Sequence, residues 1–234
     1  MQTSEWTQLH THILQLEEQG FVTRTFRRLD PMRQQAVLQA ILDDAAEKGP
    51  ADLNVKEVAR RAKVSVGSLY QYFGSREKLL SFAVELSVLM MTDLFTVSRP
   101  YLLEMPLRDA LNAYLSYGLE WSKTQQGVVQ FFGRAAYQGD SQMAEKVVRP
   151  VATAMREVMF DLLSAAHKRG ELRPGLDVEA AARVVNVMTI AVGDSKLLPY
   201  LNNYFQVTDE SMPLDRIIET MVDLLMTGIG KKEK

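Results

Sequence analysis

Residues 54–80 decide the fold of this chain and read NVKEVARRAKVSVGSLYQYFGSREKLL. Asn54, followed three residues later by Glu57, is the pattern of a capping box at the start of a helix. Ser65 is suited to cap a second helix, and Gly74 can end that helix in a left-handed conformation. Two short helices joined by a tight turn form a helix-turn-helix, whose second helix can lie in the major groove of DNA.

The second of these helices carries side chains that suit close contact with bases, because bulky charged groups would hold it away from the groove. Gln71 can pair with adenine through two hydrogen bonds, and Val66 can contact a thymine methyl group. Tyr70, Tyr72 and Arg76 are placed to hold phosphates, which fixes the register without reading sequence. The outward residues of this helix are predicted to be Val66, Gly67, Ser68, Gln71 and Tyr72.

A family resemblance lies in the same stretch. Residues 58–79 read VARRAKVSVGSLYQYFGSREKL, and this run resembles the N-terminal domain of TetR/AcrR transcriptional repressors. Two positions depart from the family's pattern. Lys63 stands where the family usually has Gly in the turn, and a left-handed Lys would cost about 1 kcal/mol. Arg76 replaces the usual phosphate-contacting Lys, which keeps the charge and changes its geometry to a fork.

The charge is unevenly distributed along the chain. Residues 1–20 carry three acids and no Lys or Arg, whereas residues 21–78 carry eleven Lys and Arg against seven Asp and Glu. Residues 79–234 carry sixteen against nineteen. The basic excess therefore lies on the segment that contains the helix-turn-helix, as contact with DNA requires. The candidate DNA-binding residues are Lys56, Ser65, Val66, Gly67, Ser68, Tyr70, Gln71, Tyr72, Arg76, Arg24, Arg27 and Arg28.

Residues 1–29 precede the family's usual start. We expect a helix from Ser4 to Gln19, with an apolar stripe that packs on this subunit or on its partner. The stripe consists of Trp6, Leu9, Ile13 and Leu16. The following run, FVTRTFRRL over residues 21–29, is basic. Its arginines either reach phosphates and an adjacent minor groove or belong to a simple link to the next helix.

The rest of the chain shows only helical patterns. Asp30-Pro31 is a helix start, Pro100 predicts the end of the helix that begins at Arg76, and Pro150 either kinks a helix or begins a new one. The expected helices cover residues 31–48, 76–97, 106–121, 126–137, 141–169, 177–198 and 211–228. We therefore predict an all-α fold, with an N-terminal extension (1–29), a three-helix helix-turn-helix DNA-binding domain (30–80) and a larger ligand-binding and dimerisation domain (81–234).

The composition is that of a protein with a substantial core, since 47% of 234 residues are hydrophobic. Cysteine is absent, which excludes disulfides and thiolate metal ligands and fits a reducing cytoplasm. No basic-then-apolar leader opens the chain, and no uncharged run approaches the ~18 residues of a membrane helix. We expect a cytoplasmic protein with no membrane partner.

The resemblance implies that helices between about residues 101 and 200 enclose a pocket for a small molecule. The candidate lining is Asn112, Tyr114, Tyr117, Trp121, Phe131, Phe132, Met155, Met159, Asn186 and Met188. Few charges fall among these residues, which indicates an uncharged or lipophilic ligand oriented by sparse polar groups. The alternative is that the aromatic and Met residues are solid core.

Dimerisation is expected because one short recognition helix makes too few contacts for tight specific binding. Two helices related by a two-fold axis can read a palindrome at a spacing of about 34–36 Å. The last two predicted helices have surplus apolar surface, and we expect them to pair with their copies as a four-helix bundle. The alternative is that one of these faces packs within the chain.

These observations predict a homodimeric transcriptional regulator that binds an operator in double-stranded DNA, most simply a repressor. The resemblance implies that a small-molecule effector shifts the helix after Arg76, so that the two recognition helices no longer match the groove spacing. A DNA-binding structural or partner-recruiting protein is the first alternative, and an enzyme on a borrowed scaffold is the second. No Gly-rich phosphate loop, paired-His metal spacing or nucleophile elbow is found, so we expect no enzyme, metal site or cofactor.

Overall fold

The computed structural model describes residues 3–49 and 52–231, with side chains from residue 9 onward. Helices dominate these residues, which contain no strand and one isolated bridge between Leu172 and Gly230. The all-α prediction is therefore confirmed. The helices are α1 (Thr3–Glu18), α2 (Arg24–Arg27), α3 (Pro31–Lys48), α4 (Val55–Ala62), α5 (Val66–Phe73), α6 (Arg76–Glu104), α7 (Leu107–Thr124), α8 (Gln126–Tyr137), α9 (Ser141–Met143), α10 (Arg149–Lys168), α11 (Val178–Leu197), α12 (Pro199–Phe205) and α13 (Leu214–Ile229).

The chain forms two compact units. The first contains the residues up to Thr92 together with Gly127–Val151, and the second contains Asp93–Gln126 and the residues from Ala152 onward. This division differs from the boundary expected at residue 80, because a later segment of the chain folds back into the first unit. Helix α6 contributes its N-terminal part to the first unit and its C-terminal part to the second.

The first unit is built around the helix-turn-helix. Helix α3 packs on α4, α4 on α5, and α2 on α5. Aromatic side chains fill its centre, with Phe26, Phe73 and Phe82 fully buried. Helix α8 joins this unit because the Arg134 Nε donates to the Ala46 carbonyl oxygen at 2.8 Å. The close approach of Gly127 to the Leu42 side chain leaves little room for a larger residue there.

The second unit packs α7, α11 and α13 together. Leu107 and Leu111 of α7 and Val222 of α13 are fully buried. The turn from α6 to α7 is held by Arg169 and Glu171. The Arg169 guanidinium donates to the carbonyls of Leu103 and Met105, and the Glu171 carboxylate accepts the Leu107 N–H at 2.7 Å. These bonds satisfy backbone groups that helix ends leave unpaired.

Pro100 and Pro150 both lie within helical segments. Pro100 does not end α6, which continues to Glu104. This proline is exposed, and its ring removes one N–H from the hydrogen bonds of the helix. Pro150 is the second residue of α10, and a π-helical turn over Ala144–Val148 joins α9 to it. The helical backbone is thus continuous from Ser141 to Lys168, and the alternative of a new helix at Pro150 is not observed.

Helix α12 was not expected from the sequence. It begins at Pro199, whose fixed φ suits the first turn of a helix, directly after the Leu198 residue that ends α11. It ends at Gln206, whose φ of 51° is left-handed. The final helix then starts after Pro213, and Asp177 caps α11 by accepting the Ala180 N–H at 3.0 Å.

The N-terminal helix follows the predicted stripe where it is described. Ile13 and Leu16 are fully buried and Leu9 is half-buried. The side chains of Ser4 and Trp6, as well as Pro50, lie outside the described residues.

One helix among the described residues, α6, is long and apolar enough to cross a membrane by length and composition alone. This is weak evidence, because core helices of soluble proteins meet the same criterion. Glu85 and Asp93 interrupt its apolar run. Leu79 and Phe82 of the same helix lie in the core of the first unit.

Candidate nucleic-acid interface and ligand site

The first helix of the helix-turn-helix is capped as predicted at Asn54. Its Oδ1 accepts the N–H groups of Lys56 at 3.0 Å and Glu57 at 3.3 Å. The reciprocal half of the capping box is not formed, because the Asn54 N–H donates to the buried Asp44 carboxylate at 2.7 Å. Glu57 instead accepts from Arg60 and Arg61.

Those two arginines lower the pKa of Glu57 from its ordinary 4.5 to about 2, first through the Arg60 hydrogen bond and then through that of Arg61. Arg61 also donates to Glu47 at 2.8 Å. Glu47 lies on α3 and Glu57 on α4, so Arg61 bridges the two helices. The basic end of α4 is therefore paired with carboxylates, and Lys56 at the start of the helix is exposed.

The turn between α4 and α5 is left-handed at Lys63, with φ 55° and ψ 40°. The turn closes through hydrogen bonds from Lys63 N–H to the Arg60 carbonyl and from Val64 N–H to the Ala59 carbonyl at 3.0 Å. Lys63 thus adopts the left-handed conformation that the family's glycine would adopt without strain. The hydrogen bonds and the packing of α4 on α5 hold it in a conformation that costs an L-residue about 1–2 kcal/mol.

Helix α5 is the predicted recognition helix, and Ser65 caps it. The Ser65 Oγ accepts the Ser68 N–H at 2.9 Å, and the two hydroxyls lie 2.8 Å apart. Gly67, Tyr70 and Gln71 are exposed, with 45% of Tyr70 accessible. Val66 and Ser68 are half-buried, so the accessible face is narrower than predicted.

The outward position predicted for Tyr72 is wrong. Tyr72 is buried, and its ring centroid lies 5.8 Å from that of Phe26. The reason is helical spacing, since Tyr72 follows the buried Leu69 by three residues and shares its face. Tyr72 therefore belongs to the core of the first unit.

Arg76 has a structural contact in addition to its predicted role. Its Nε donates to the Leu53 carbonyl at 3.1 Å and the residue is half-buried. The forked guanidinium thus ties the start of α6 to the segment before α4. A lysine, which carries a single ammonium group, would not offer the same planar set of donors.

The predicted basic arm divides into two kinds of arginine. Arg24 and Arg28 are exposed. Arg27 is half-buried and forms an ion pair with Glu17 of α1, which places its guanidinium within the protein. The segment is also ordered by Phe26, which is fully buried. Residues 21–29 are therefore an integral part of the first unit and more than a flexible link.

The predicted ligand-lining residues are divided between the two units. Phe131, which is fully buried, and the half-buried Phe132 belong to the first unit, whereas the other eight belong to the second. The sequence could not reveal this because the chain crosses between the units at Gln126. Tyr117 is 48% exposed and Met159 is fully buried. Asn112, Trp121, Met155 and Met188 are half-buried.

Two of the predicted residues in the second unit place polar atoms in an apolar setting. The Tyr114 ring stacks on Phe95 with centroids 6.3 Å apart, and burial, with the nearby Asp194 carboxylate, raises the pKa of its hydroxyl. Asn186 is buried, and its Oδ1 has no hydrogen-bond partner within the protein. Such an acceptor is available to a donor that enters from outside.

A cleft of about 120 Å³ in the second unit was not predicted. It lies between α10 and α11 and is lined by Arg156, Glu157, Phe160, Glu179, Ala182 and Arg183. Its walls are charged, and Arg183 donates to Glu179 at 2.6 Å. Among the described residues, no group of three or more His, Cys, Asp and Glu side chains is placed to hold a metal ion.

Comparison with known proteins agrees with the helix-turn-helix geometry. Residues 37–81 match the family described as bacterial regulatory proteins, tetR family. The HTH-type transcriptional regulator BetI 1 of Chromohalobacter salexigens is 24% identical over 178 residues, which covers 67% of this chain and 88% of that protein. The HTH-type transcriptional repressor Rv3405c of Mycobacterium tuberculosis is 36% identical over 50 residues, 21% of this chain and 27% of that protein.

Solved structures share the fold over most of the chain. A TetR family transcriptional regulator from Chloroflexus aurantiacus has a TM-score of 0.63 at 20% identity, covering 90% of this chain and 99% of that one. FadR from Bacillus subtilis, solved in complex with stearoyl-CoA, has a TM-score of 0.61 at 20% identity, covering 83% and 98%. With its capped helix-turn-helix, its matched residues 37–81 and these relatives, this chain belongs to the TetR family of DNA-binding transcriptional regulators.

Proposed function

We propose that this protein is a ligand-responsive repressor that binds a palindromic operator as a homodimer and releases it when a small lipophilic molecule binds. The observation that carries this proposal is the recognition helix α5. Its start is fixed by the Ser65 cap, and its accessible face presents Gly67, Tyr70 and Gln71. A protein of this kind acts in the cytoplasm, where the DNA is.

On DNA, Gln71 and Val66 would read base edges, while Gly67 lets the helix approach closely. The phosphate contacts would come from Tyr70 and from the exposed cations of the same unit. The predicted ones among these cations are Lys56, Arg24 and Arg28.

The dimer would form through α11 and α13. Val184 and Val187 of α11 are 59% and 64% exposed, and Leu224 of α13 is 65% exposed. Residues three and four apart on a helix share a face, so the two valines form one apolar strip. The two helices pack on each other in the second unit, which supports a joint surface that a second copy would cover.

The effector would bind in the second unit, where Tyr114 and Asn186 offer polar atoms among apolar side chains. Helix α7, which carries Tyr114, packs on α11, which carries Asn186. Two structural neighbours bear names that fit a lipophilic effector: FadR with stearoyl-CoA and the ketosteroid transcriptional regulator KstR2 of Mycobacterium tuberculosis. Helix α6 runs through both units and would carry the response to the DNA-binding unit. Operator and effector would then weaken each other's binding by the same factor.

The alternative is a DNA-binding structural or partner-recruiting protein without a ligand. The observation in its favour is that Met159 and Phe131 are fully buried, as core residues are. A thermal-unfolding screen with uncharged lipophilic compounds separates the two functions. A compound that raises the unfolding temperature and releases DNA supports the repressor, whereas stabilisation by none of them supports the alternative.

Selection of bound duplexes from a random-sequence DNA library tests the proposal. Wild-type protein should enrich a palindrome, and the Gln71→Ala variant should bind it more weakly by about 1–3 kcal/mol and lose discrimination at one base position of each half-site. The control is Gln35→Ala, which removes an exposed glutamine of α3 and should bind as the wild type does. The proposal is wrong if no sequence is enriched, or if Gln71→Ala retains the full affinity and preference.

A further inference from the structure

The last turn of the recognition helix is held by a residue far away in the sequence. Carbonyl groups in the last turn of a helix have no partner within it. In α5, two of these are taken by Thr23. The Thr23 N–H donates to the Tyr72 carbonyl oxygen at 2.8 Å, and the Thr23 Oγ1 donates to the Gln71 carbonyl oxygen at 2.8 Å. Thr23 therefore bonds the backbone of the residue that is proposed to read DNA.

Phe26 makes a second contact with the same end of the helix. Its side chain is fully buried. Its ring centroid lies 5.8 Å from that of Tyr72, 5.2 Å from that of Phe73 and 5.7 Å from that of Phe82. One side chain thus packs on the last turn of α5 and on α6, and its removal would leave a cavity against both.

The segment that carries Thr23 and Phe26 is itself fixed. The Gln34 Nε2 of α3 donates to the carbonyl oxygens of Phe26 at 2.9 Å and Arg27 at 2.8 Å. The Arg27 guanidinium pairs with Glu17 of α1. Helix α1 in turn buries Ile13 and Leu16 completely. Contacts from α1 and α3 therefore leave residues 21–27 little freedom to move.

From these contacts we infer that residues 9–29, here named the N-terminal brace, position the recognition helix for DNA. Thr23 is a positioning residue: it holds the Gln71 and Tyr72 backbone and does not itself contact DNA. The effect on operator binding rests on the proposed function, whereas the bracing contact is a property of the free protein. The DNA-binding unit therefore contains more than three helices. Helix α2 packs on the recognition helix, and α1 packs on α2.

Amide hydrogen exchange of the full-length protein without DNA tests the brace directly. Thr23→Val keeps the shape of the side chain but removes the hydroxyl donor, and Thr23→Ser restores that donor. In Thr23→Val the amides of residues 70–74 should exchange about three- to tenfold faster than in the wild type, the factor expected for one net hydrogen bond. Thr23→Ser should remain close to the wild type, and the amides of α13 should not change in either variant. Equal exchange at residues 70–74 in Thr23→Val and the wild type would overturn the inference.

Operator binding then separates positioning from direct contact. With the duplex selected by the wild type, Thr23→Val should bind about three- to tenfold more weakly with an unchanged dependence on salt, because no phosphate contact is lost. An Arg24→Gln/Arg28→Gln variant should bind with a shallower salt dependence, since each lost phosphate contact lowers the slope. A changed slope in Thr23→Val would contradict its positioning role. If the wild type selects no duplex, the proposed function fails, while hydrogen exchange still decides the brace.

Discussion

At the residue scale, Lys63 holds a backbone conformation that ordinarily favours glycine. Its φ of 55° is left-handed, and the residue is exposed. The following Val64 N–H bonds the Ala59 carbonyl, which requires the chain to reverse at this point. The strain at Lys63 is therefore balanced by the hydrogen bonds of the turn and by the packing of α4 against α5.

Replacing Lys63 by glycine should relieve this strain. We expect Lys63→Gly to stabilise the protein by about 0.5–1 kcal/mol, since the left-handed cost to an L-residue exceeds the entropy that glycine loses on folding. Chemical denaturation of the full-length protein measures this difference.

The matched control is Lys78→Gly, which removes an exposed lysine from the first turn of α6. It should lower stability, because glycine is a poor helix former. A Lys63→Gly variant that is less stable than the wild type would show that the lysine side chain contributes more than the strain costs.

At the element scale, an ion-pair network links α3 to α4. Arg61 donates to Glu47 at 2.8 Å and to Glu57 at 2.8 Å. Arg60 adds a further hydrogen bond to Glu57. Because these groups lie near the surface, the network is sensitive to salt as well as to pH.

The Glu57 carboxylate should make the free energy of unfolding depend on pH. Its pKa falls from 4.5 to about 2 in the folded protein because it accepts hydrogen bonds from Arg60 and Arg61. A lowered folded-state pKa means that the contribution of Glu57 is fully present above about pH 4.5 and disappears as the pH falls toward 2. Glu57→Gln should therefore unfold at a lower temperature than the wild type at pH 7, and the gap should narrow below pH 4.5.

Thermal unfolding between pH 7 and pH 2.5, followed by circular dichroism at low salt, measures this gap. Glu219→Gln, an exposed carboxylate of α13 in the second unit, is the control and should follow the wild type. A gap between Glu57→Gln and the wild type that stays constant with pH would contradict the assignment.

At the scale of the whole molecule, the apolar strip of α11 and the exposed Leu224 of α13 bear on assembly. Val184, Val187 and Leu224 are each more than half exposed. Large apolar side chains clustered on one surface commonly mark a protein–protein interface. In an isologous pair, the same strip from both copies meets across the two-fold axis.

A charge on this strip should separate the subunits. We expect Val187→Glu to convert a dimer into a monomer, because each subunit would bury a carboxylate without a partner in the proposed interface. Sedimentation velocity at micromolar concentration measures the mass.

Val97→Glu is the control. It adds the same charge at a 51% exposed valine of α6 and should leave the dimer intact. A Val187→Glu protein that sediments as a dimer would place the interface elsewhere.

Much of the helix-turn-helix could be predicted from the sequence because its signals are local. The caps at Asn54 and Ser65 act within three residues of themselves. The outward prediction for Tyr72 fails because Tyr72 follows Leu69 by three residues and therefore lies on the buried face of α5.

The sequence by itself determined the helical class and the position of helix α5, since these depend on periodicity and capping between near neighbours, and the motif of residues 58–79 carried the family resemblance. Only the tertiary structure decided that Thr23 and Phe26 contact the recognition helix and that Arg27 forms an ion pair with Glu17. It also placed Phe131 in a different unit from Tyr114. The contact of Thr23 with Gln71 joins residues 48 positions apart. No periodic pattern encodes such a contact, because it depends on where whole helices pack.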